Sequence, residues 1–148
     1  MDYIKIRFGD GFDQLSSEFE KTIQDMFRSV GPMFACSECT WHPQMDIYET
    51  PQVIIIRAEI AGVEKEDLDV EINRKAVKIS GIRAEMPPSE SGTYHLAEIQ
   101  YGEFERTLFL PAPIDTEKVT ASFSNGFLQI RLLKLPLDKI HRIPIADG

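Results

Sequence analysis

The sequence is poor in the residues that most chemistry requires. Among its 148 residues are only two cysteines, Cys36 and Cys39. They cannot build a disulfide scaffold, because a bridge between them closes only a tiny loop. A complete zinc site normally takes four ligands. Beyond this C-x-x-C pair the chain offers only His42, His95 and His141, widely scattered, so a metal site here would need a second chain. A redox-active pair sits at a helix N-terminus beside a strand, where the dipole lowers one thiol's pKa. Here the pair is followed instead by Trp41 and Pro43, with no βαβ pattern. Reduced, incidental thiols are expected, with an inter-subunit metal site or a redox switch as the alternatives. No P-loop, complete dinucleotide-binding glycine pattern or G-x-S-x-G elbow is present. No cofactor and no enzymatic activity are expected.

Basic stretches are missing too. The net charge is −8, from 24 acidic against 16 basic residues, and no basic footprint exists to neutralise phosphates, which argues against nucleic-acid binding. No purely apolar run is longer than Val53 to Ile56, so a helix spanning a bilayer is excluded. The first residues, Met1 to Lys5, lack the charged-then-apolar order of a signal peptide. A soluble, cytosolic chain is expected.

The residues that are present fall into three stretches. In residues 10–34, apolar side chains recur in steps of three and four at Phe12, Leu15, Phe19, Ile23, Met26, Phe27 and Val30. That spacing predicts one face of an amphipathic helix, with Asp10 or Asp13 as cap and Gly31-Pro32 as stop. A lone helix cannot bury such a stripe by itself. Packed core is one reading, and an aromatic, Met-containing face for promiscuous apolar binding is the other.

Residues 41–133 read as short strands. Residues 52–60 are β-branched, and residues 68–72 alternate Leu, Asp, Val, Glu, Ile with the period of a half-buried strand. Further strands are predicted at 76–82, 103–110, 119–123 and 127–132. Asn73-Arg74-Lys75 is a predicted turn, and Asn125-Gly126 is a strong hairpin signal. Strands at this spacing, without helices between them, argue for an antiparallel sandwich. Residues 83–93, with Pro87-Pro88, form a polar loop. Acidic pairs such as Glu103/Glu105 and Asp69/Glu71 fit the solvated faces of strands. His95 fits a surface or interface position better than a pH switch.

The tail, residues 134–148, ends Ile143-Pro144-Ile145. In an extended chain both isoleucines point to one side. Pro144 lacks a donor and disfavours an internal strand. The two isoleucines have no obvious home within the chain.

Several motifs now converge. Residues 41–145 resemble the small heat-shock proteins, the α-crystallin family. The matching elements occur in order: Trp41-x-Pro43-x-x-Asp46-Ile47-Tyr48-Glu49, then Ala61-Gly62-Val63 with Asp67-Leu68, then Ile79-Ser80-Gly81. Gly102-Glu103-Phe104-Glu105-Arg106 with Leu108 to Pro111 follows, then Ala121-x-x-x-Asn125-Gly126-Phe127-Leu128, and finally Ile143-Pro144-Ile145. The pattern departs at Ala61, where the family has proline, at Ile82, where it has glutamate, and at Leu96 to Gln100, which is largely uncharged.

The resemblance implies an all-β, immunoglobulin-like sandwich over 41–134, an N-terminal amphipathic helical arm over 1–40, and an extended tail over 135–148. It implies an ATP-independent holdase that binds partly unfolded proteins from a dynamic oligomer of strand-swapped dimers. Tyr94, His95, Leu96, Ala97, Glu98 and Ile99 would form the strand exchanged with the partner. Ile143 and Ile145 would be knobs entering a neighbour's groove walled by Leu68, Val70, Ile72, Val119 and Ala121. The stripe from Phe12 to Val30 would bind clients. Two rivals stay open: a co-chaperone adaptor that binds one folded partner, and a thiol enzyme or redox-controlled binder using Cys36 and Cys39.

Overall fold

A computed structural model describes residues 4–9, 41–136 and 143–147. Eight strands make two sheets. The first contains β1 (Lys5–Phe8), β4 (Leu68–Ile72), β5 (Ala76–Arg83) and β6 (Gly102–Phe109), in that spatial order. The second contains β2 (Met45–Glu49), β3 (Val53–Glu59), β8 (Phe127–Lys134) and β7 (Ile114–Ser124), again in that order. Every pairing is antiparallel except that of β1 with β4. The architecture is the two-sheet sandwich expected from the strand pattern.

Alternation in the sequence decides which side chains enter the core. Along β4, Leu68, Val70 and Ile72 are buried while Asp69 and Glu71 are only half covered. On β8, Leu128, Ile130 and Leu132 are inward. On the neighbouring strand β3, Ile54, Ile56 and Ala58 lie beside them on the same inner face. Each such leucine, isoleucine or valine contributes roughly 1.5–3 kcal/mol of burial. Phe104, on the terminal strand β6 of the first sheet, is buried on that sheet's inner face. The Trp41 ring lies against it, with centroids 4.9 Å apart at 60°, a tilted arrangement favoured by the ring quadrupoles.

Two turns have clear causes. Asn73 accepts backbone hydrogen bonds at Oδ1 from Lys75 (2.8 Å) and Ala76 (2.7 Å), closing the β4–β5 connection as an Asx turn. Between β7 and β8, Asn125 and Gly126 have φ of 52° and 80°, the pair of positive values that a type I′ hairpin requires.

Three features go beyond the sequence pattern. Strand β1 lies inside the stretch read as the N-terminal arm, yet it belongs to the sandwich. Its Ile6, and Ile4 just before it, alternate toward the core, and Arg7 pairs with Asp69 and Glu71. Strand β2 is a separate element ahead of β3. Strand β7 starts at Ile114, five residues before the predicted 119–123, with an irregularity between Ile114 and Val119. The predicted helix over residues 10–34 lies outside the described residues.

Close approach makes Gly81 a stringent position. A Cβ there would stand 2.5 Å from the Asp67 carbonyl oxygen and 2.8 Å from the Phe104 ring. Gly81→Ala is therefore expected to cost about 1–3 kcal/mol by overpacking. Gly92→Ala, which meets nothing within 4 Å, should change stability by less than about 0.5 kcal/mol. Urea denaturation of the two variants checks this; equal midpoints would show that the contact relaxes freely.

Candidate functional site

Two candidate surfaces stand out, and both involve terminal strands of the sheets. The first is the β4 side. Of the residues expected to wall a tail-accepting groove, Leu68, Val70 and Ile72 form the inward row of β4, while Val119 and Ala121 are half-buried on β7. The β4 edge is occupied by β1, with Lys5 opposite Asp69, Ile6 opposite Val70 and Arg7 opposite Glu71. Ile4 and Ile6 pack against the same core cluster as Val119, Ala121 and Phe123. The Arg7 guanidinium reaches Glu71 at 2.7 Å and also pairs with Asp69. The expected tail knobs, Ile143 and Ile145, are 81% and 93% exposed.

The second surface combines the loop between β5 and β6 with the outer edge of β2. Tyr94, His95, Leu96, Ala97, Glu98 and Ile99, expected as an exchanged strand, form no strand within the single chain and are all exposed, Leu96 at 73%. Tyr94, Leu96 and Ile99 border an open concavity with Met86, Pro87 and Tyr101. β2 is the terminal strand of its sheet, paired only with β3 among the described residues, and exposes Ile47 and Tyr48.

The foot of this loop is fixed by Arg83, which the sequence pattern did not mark, together with the motif residues Trp41 and Arg106. Arg83 donates from Nε to the Ala61 carbonyl at 2.8 Å and from Nη1 to the Gln100 carbonyl at 2.9 Å. Its guanidinium also lies 3.7 Å above the Trp41 ring. Trp41 donates from Nε1 to the Gly102 carbonyl at 2.9 Å. One cation thus ties the start of the loop, its end and the β3–β4 connection to a single ring. Arg106 adds a bond from Nη1 to the Pro43 carbonyl at 2.8 Å. The available signal was Arg83 itself, the charged residue where a strand gives way to a loop.

Phe12, Leu15, Phe19, Ile23, Met26, Phe27, Val30, Cys36 and Cys39 lie outside the described residues. Among the described residues, no group of three or more His, Cys, Asp or Glu is placed to hold a metal ion. No helix among them is long and apolar enough to cross a membrane.

The fold and its edges define an immunoglobulin-like β-sandwich whose exposed apolar side chains lie along terminal strands and a long loop. Comparison with known proteins makes the class specific. The model of the Hsp20/alpha crystallin family matches residues 46–146. The small heat shock protein C2 of Rickettsia felis is 31% identical over 114 residues, covering 77% of this chain and 74% of that protein. Among solved structures, heat shock protein 16.0 from Schizosaccharomyces pombe is 31% identical with a TM-score of 0.60, covering 72% of this chain and 99% of that one. A small heat-shock protein from Xylella fastidiosa is 29% identical with a TM-score of 0.60, covering 74% of this chain and 100% of that one. The chain belongs to the Hsp20/alpha crystallin family of small heat-shock proteins. Membership implies a chaperone role.

The Arg83 anchor has a measurable consequence. Arg83→Met should cost about 1–2 kcal/mol, from a cation–π contact and two hydrogen bonds at a partly exposed site. Hydrogen exchange over residues 94–102 should quicken, and emission from Trp41, the single tryptophan, should shift to the red. Unchanged exchange in that loop would show that Arg83 does not hold it.

Proposed function

We propose that the chain is an ATP-independent holdase that captures partly unfolded proteins and keeps them from aggregating, working in the cytoplasm from a dynamic homo-oligomer of strand-swapped dimers. The observation that carries this reading is the exposure of apolar side chains on two segments, Tyr94 to Ile99 and Ile143 to Ile145, in a chain whose core is otherwise well buried. Contiguous exposed apolar surface marks sites of association. In the dimer, residues 94–99 add as a strand to the exposed outer edge of the partner's β2, a β-augmentation in which backbone hydrogen bonds supply affinity and Tyr94, Leu96 and Ile99 supply apolar contacts. The largely uncharged Leu96–Gln100 run makes this contact more apolar than ionic.

Between dimers, Ile143 and Ile145 enter the groove along Leu68, Val70, Ile72, Val119 and Ala121. Burying two isoleucines is worth roughly 3–6 kcal/mol before association costs. A single contact of this size exchanges readily, and many together hold firmly. Stress that loosens the assembly frees the stripe of Phe12, Leu15, Phe19, Ile23, Met26, Phe27 and Val30 to bind apolar surface on clients. The charge of −8 per chain helps keep loaded complexes soluble.

Light scattering coupled to size exclusion tests the assembly. The wild type should be a large oligomer, Ile143→Ala/Ile145→Ala should fall to dimers, and adding Leu96→Asp/Ile99→Asp to that variant should take it further to monomers. A monomeric wild type would overturn the reading in favour of a one-to-one adaptor.

Activity is tested by following the turbidity of a heat-denatured model client. The wild type should suppress aggregation at near-stoichiometric ratios without nucleotide. Cys36→Ser/Cys39→Ser should do so equally under oxidising and reducing conditions. A loss of suppression in that variant would bring the redox-controlled binder forward.

A further inference from the structure

The β4 edge has two claimants within one sequence. One is seated: β1 lies parallel on β4, with Ile4 and Ile6 half-buried against the core. The other, Ile143-Pro144-Ile145, is exposed. We infer that β1 is a built-in competitor of the tail: residues Ile4–Phe8 hold the β4 edge and exclude a neighbour's tail, so that tail-mediated assembly requires β1 to leave. This inference rests on the tail reading above and adds the element that controls it.

The chemistry of the two segments matches. Ile4-Lys5-Ile6-Arg7 and Arg142-Ile143-Pro144-Ile145 are the same apolar-x-apolar pair with an adjacent arginine, written in opposite directions. An extended chain puts both isoleucines of either segment on one side. The edge that receives β1 offers Asp69 and Glu71, and Arg7 pairs with both. That acidic edge suits an arginine beside either isoleucine pair.

A terminal strand accepts one neighbour on its open side, because its outward N–H and C=O groups are used once. Simultaneous occupancy of the same stretch of β4 is therefore ruled out.

The differences between the segments explain why the competition can be won by either. The central residue of the β1 pair, Lys5, has a backbone N–H. Pro144 has none, so the tail forms a poorer ladder. β1 is also tethered to its own groove, which gives it a high effective concentration. The tail gains from the other side, since many tails act together in an assembly. If β1 fills the edge for about 90–99% of the time, the apparent affinity for a tail is lowered about 10- to 100-fold. Release of β1 also frees the start of the segment that carries the apolar stripe, so tail docking and exposure of that stripe become linked.

The test uses the full chain carrying Ile143→Ala/Ile145→Ala, so that its own tails do not interfere. The probe is a fluorescent peptide of residues 137–148, with binding followed by anisotropy. Three proteins are compared: this background, the background with Ile4→Ala/Ile6→Ala, and the background with Arg7→Glu. The last change leaves the apolar contacts in place and alters a side chain that is 50% exposed, so the fold is retained. Circular dichroism and urea midpoints verify that all three are folded.

Both β1 variants are expected to bind the peptide about tenfold or more tightly than the background. Equal, measurable binding by all three proteins, or weaker binding by the variants, would overturn the competition while leaving the tail site standing. Absence of binding to any of the three would instead remove the tail site itself, and the competition with it.

Discussion

An open sandwich cannot close its own edges, and this constraint governs the rest of the molecule. Two separate sheets have terminal strands with a row of backbone donors and acceptors facing outward. A barrel would remove the edges, and a purely monomeric domain would blunt them with charge or proline. Here the first sheet's edges are met by other segments of the chain, while the outer edges of β2 and β7 have no strand partner among the described residues. β1 covers β4, the Trp41 segment bridges to β6 at Phe104, and the exposed 94–99 segment faces outward from a loop. The chain's exposed apolar segments are consequences of leaving the sandwich unsealed.

That arrangement demands a rigid interior, since an edge is a specific binding surface only when its register is fixed. A slip of one residue would turn every inward side chain of a strand outward. The buried rows Leu68/Val70/Ile72 and Leu128/Ile130/Leu132 prevent it by burial alone. Gly81 opposite Phe104 and the Asn125-Gly126 hairpin add geometric stops. The Arg83–Trp41 stack extends the same rigidity to the foot of the long loop, so the exposed segment projects from a fixed base.

The strands with buried faces were legible because burial writes period two into the sequence. The turn at Asn73 and the hairpin at Asn125-Gly126 were legible because their backbone chemistry is local. β1 was harder. Four residues before Gly9 carry little periodic signal, and the strand that pairs with them lies some sixty residues away. The only local trace is the alternation of Ile4 and Ile6. β2 was obscured because Asp46, Ile47, Tyr48 and Glu49 are all exposed, so no face is marked as inward. Residues 94–99 read as a strand in sequence yet form none in the single chain, which fits a segment whose hydrogen-bonding partner lies elsewhere. Arg83 was missed because its role depends on three backbone segments and a ring that meet only in the fold.

Topology gives the N-terminal arm a meaning that composition alone does not. β1 runs parallel to β4, and β4 to β6 alternate, so β6 runs in the same sense as β1. Trp41 bridges to Phe104 of β6, also in parallel. Residues 9–40 therefore connect two parallel contacts at opposite edges of one sheet, separated by about 19 Å if strands lie about 4.8 Å apart. The arm is held at both ends by the sandwich, and the two holds differ in kind. At Trp41 the ring is buried among Phe104, Arg83 and the Gly102 carbonyl, and releasing it would open the core. At β1 the hold is a four-residue strand with Ile6, and Ile4 just before it, half-buried, and a partly exposed ion pair, so this is the weaker of the two holds. The weak hold coincides with the one edge for which the chain has a second candidate ligand. In such an asymmetry the weaker contact can yield while the folded domain stays intact.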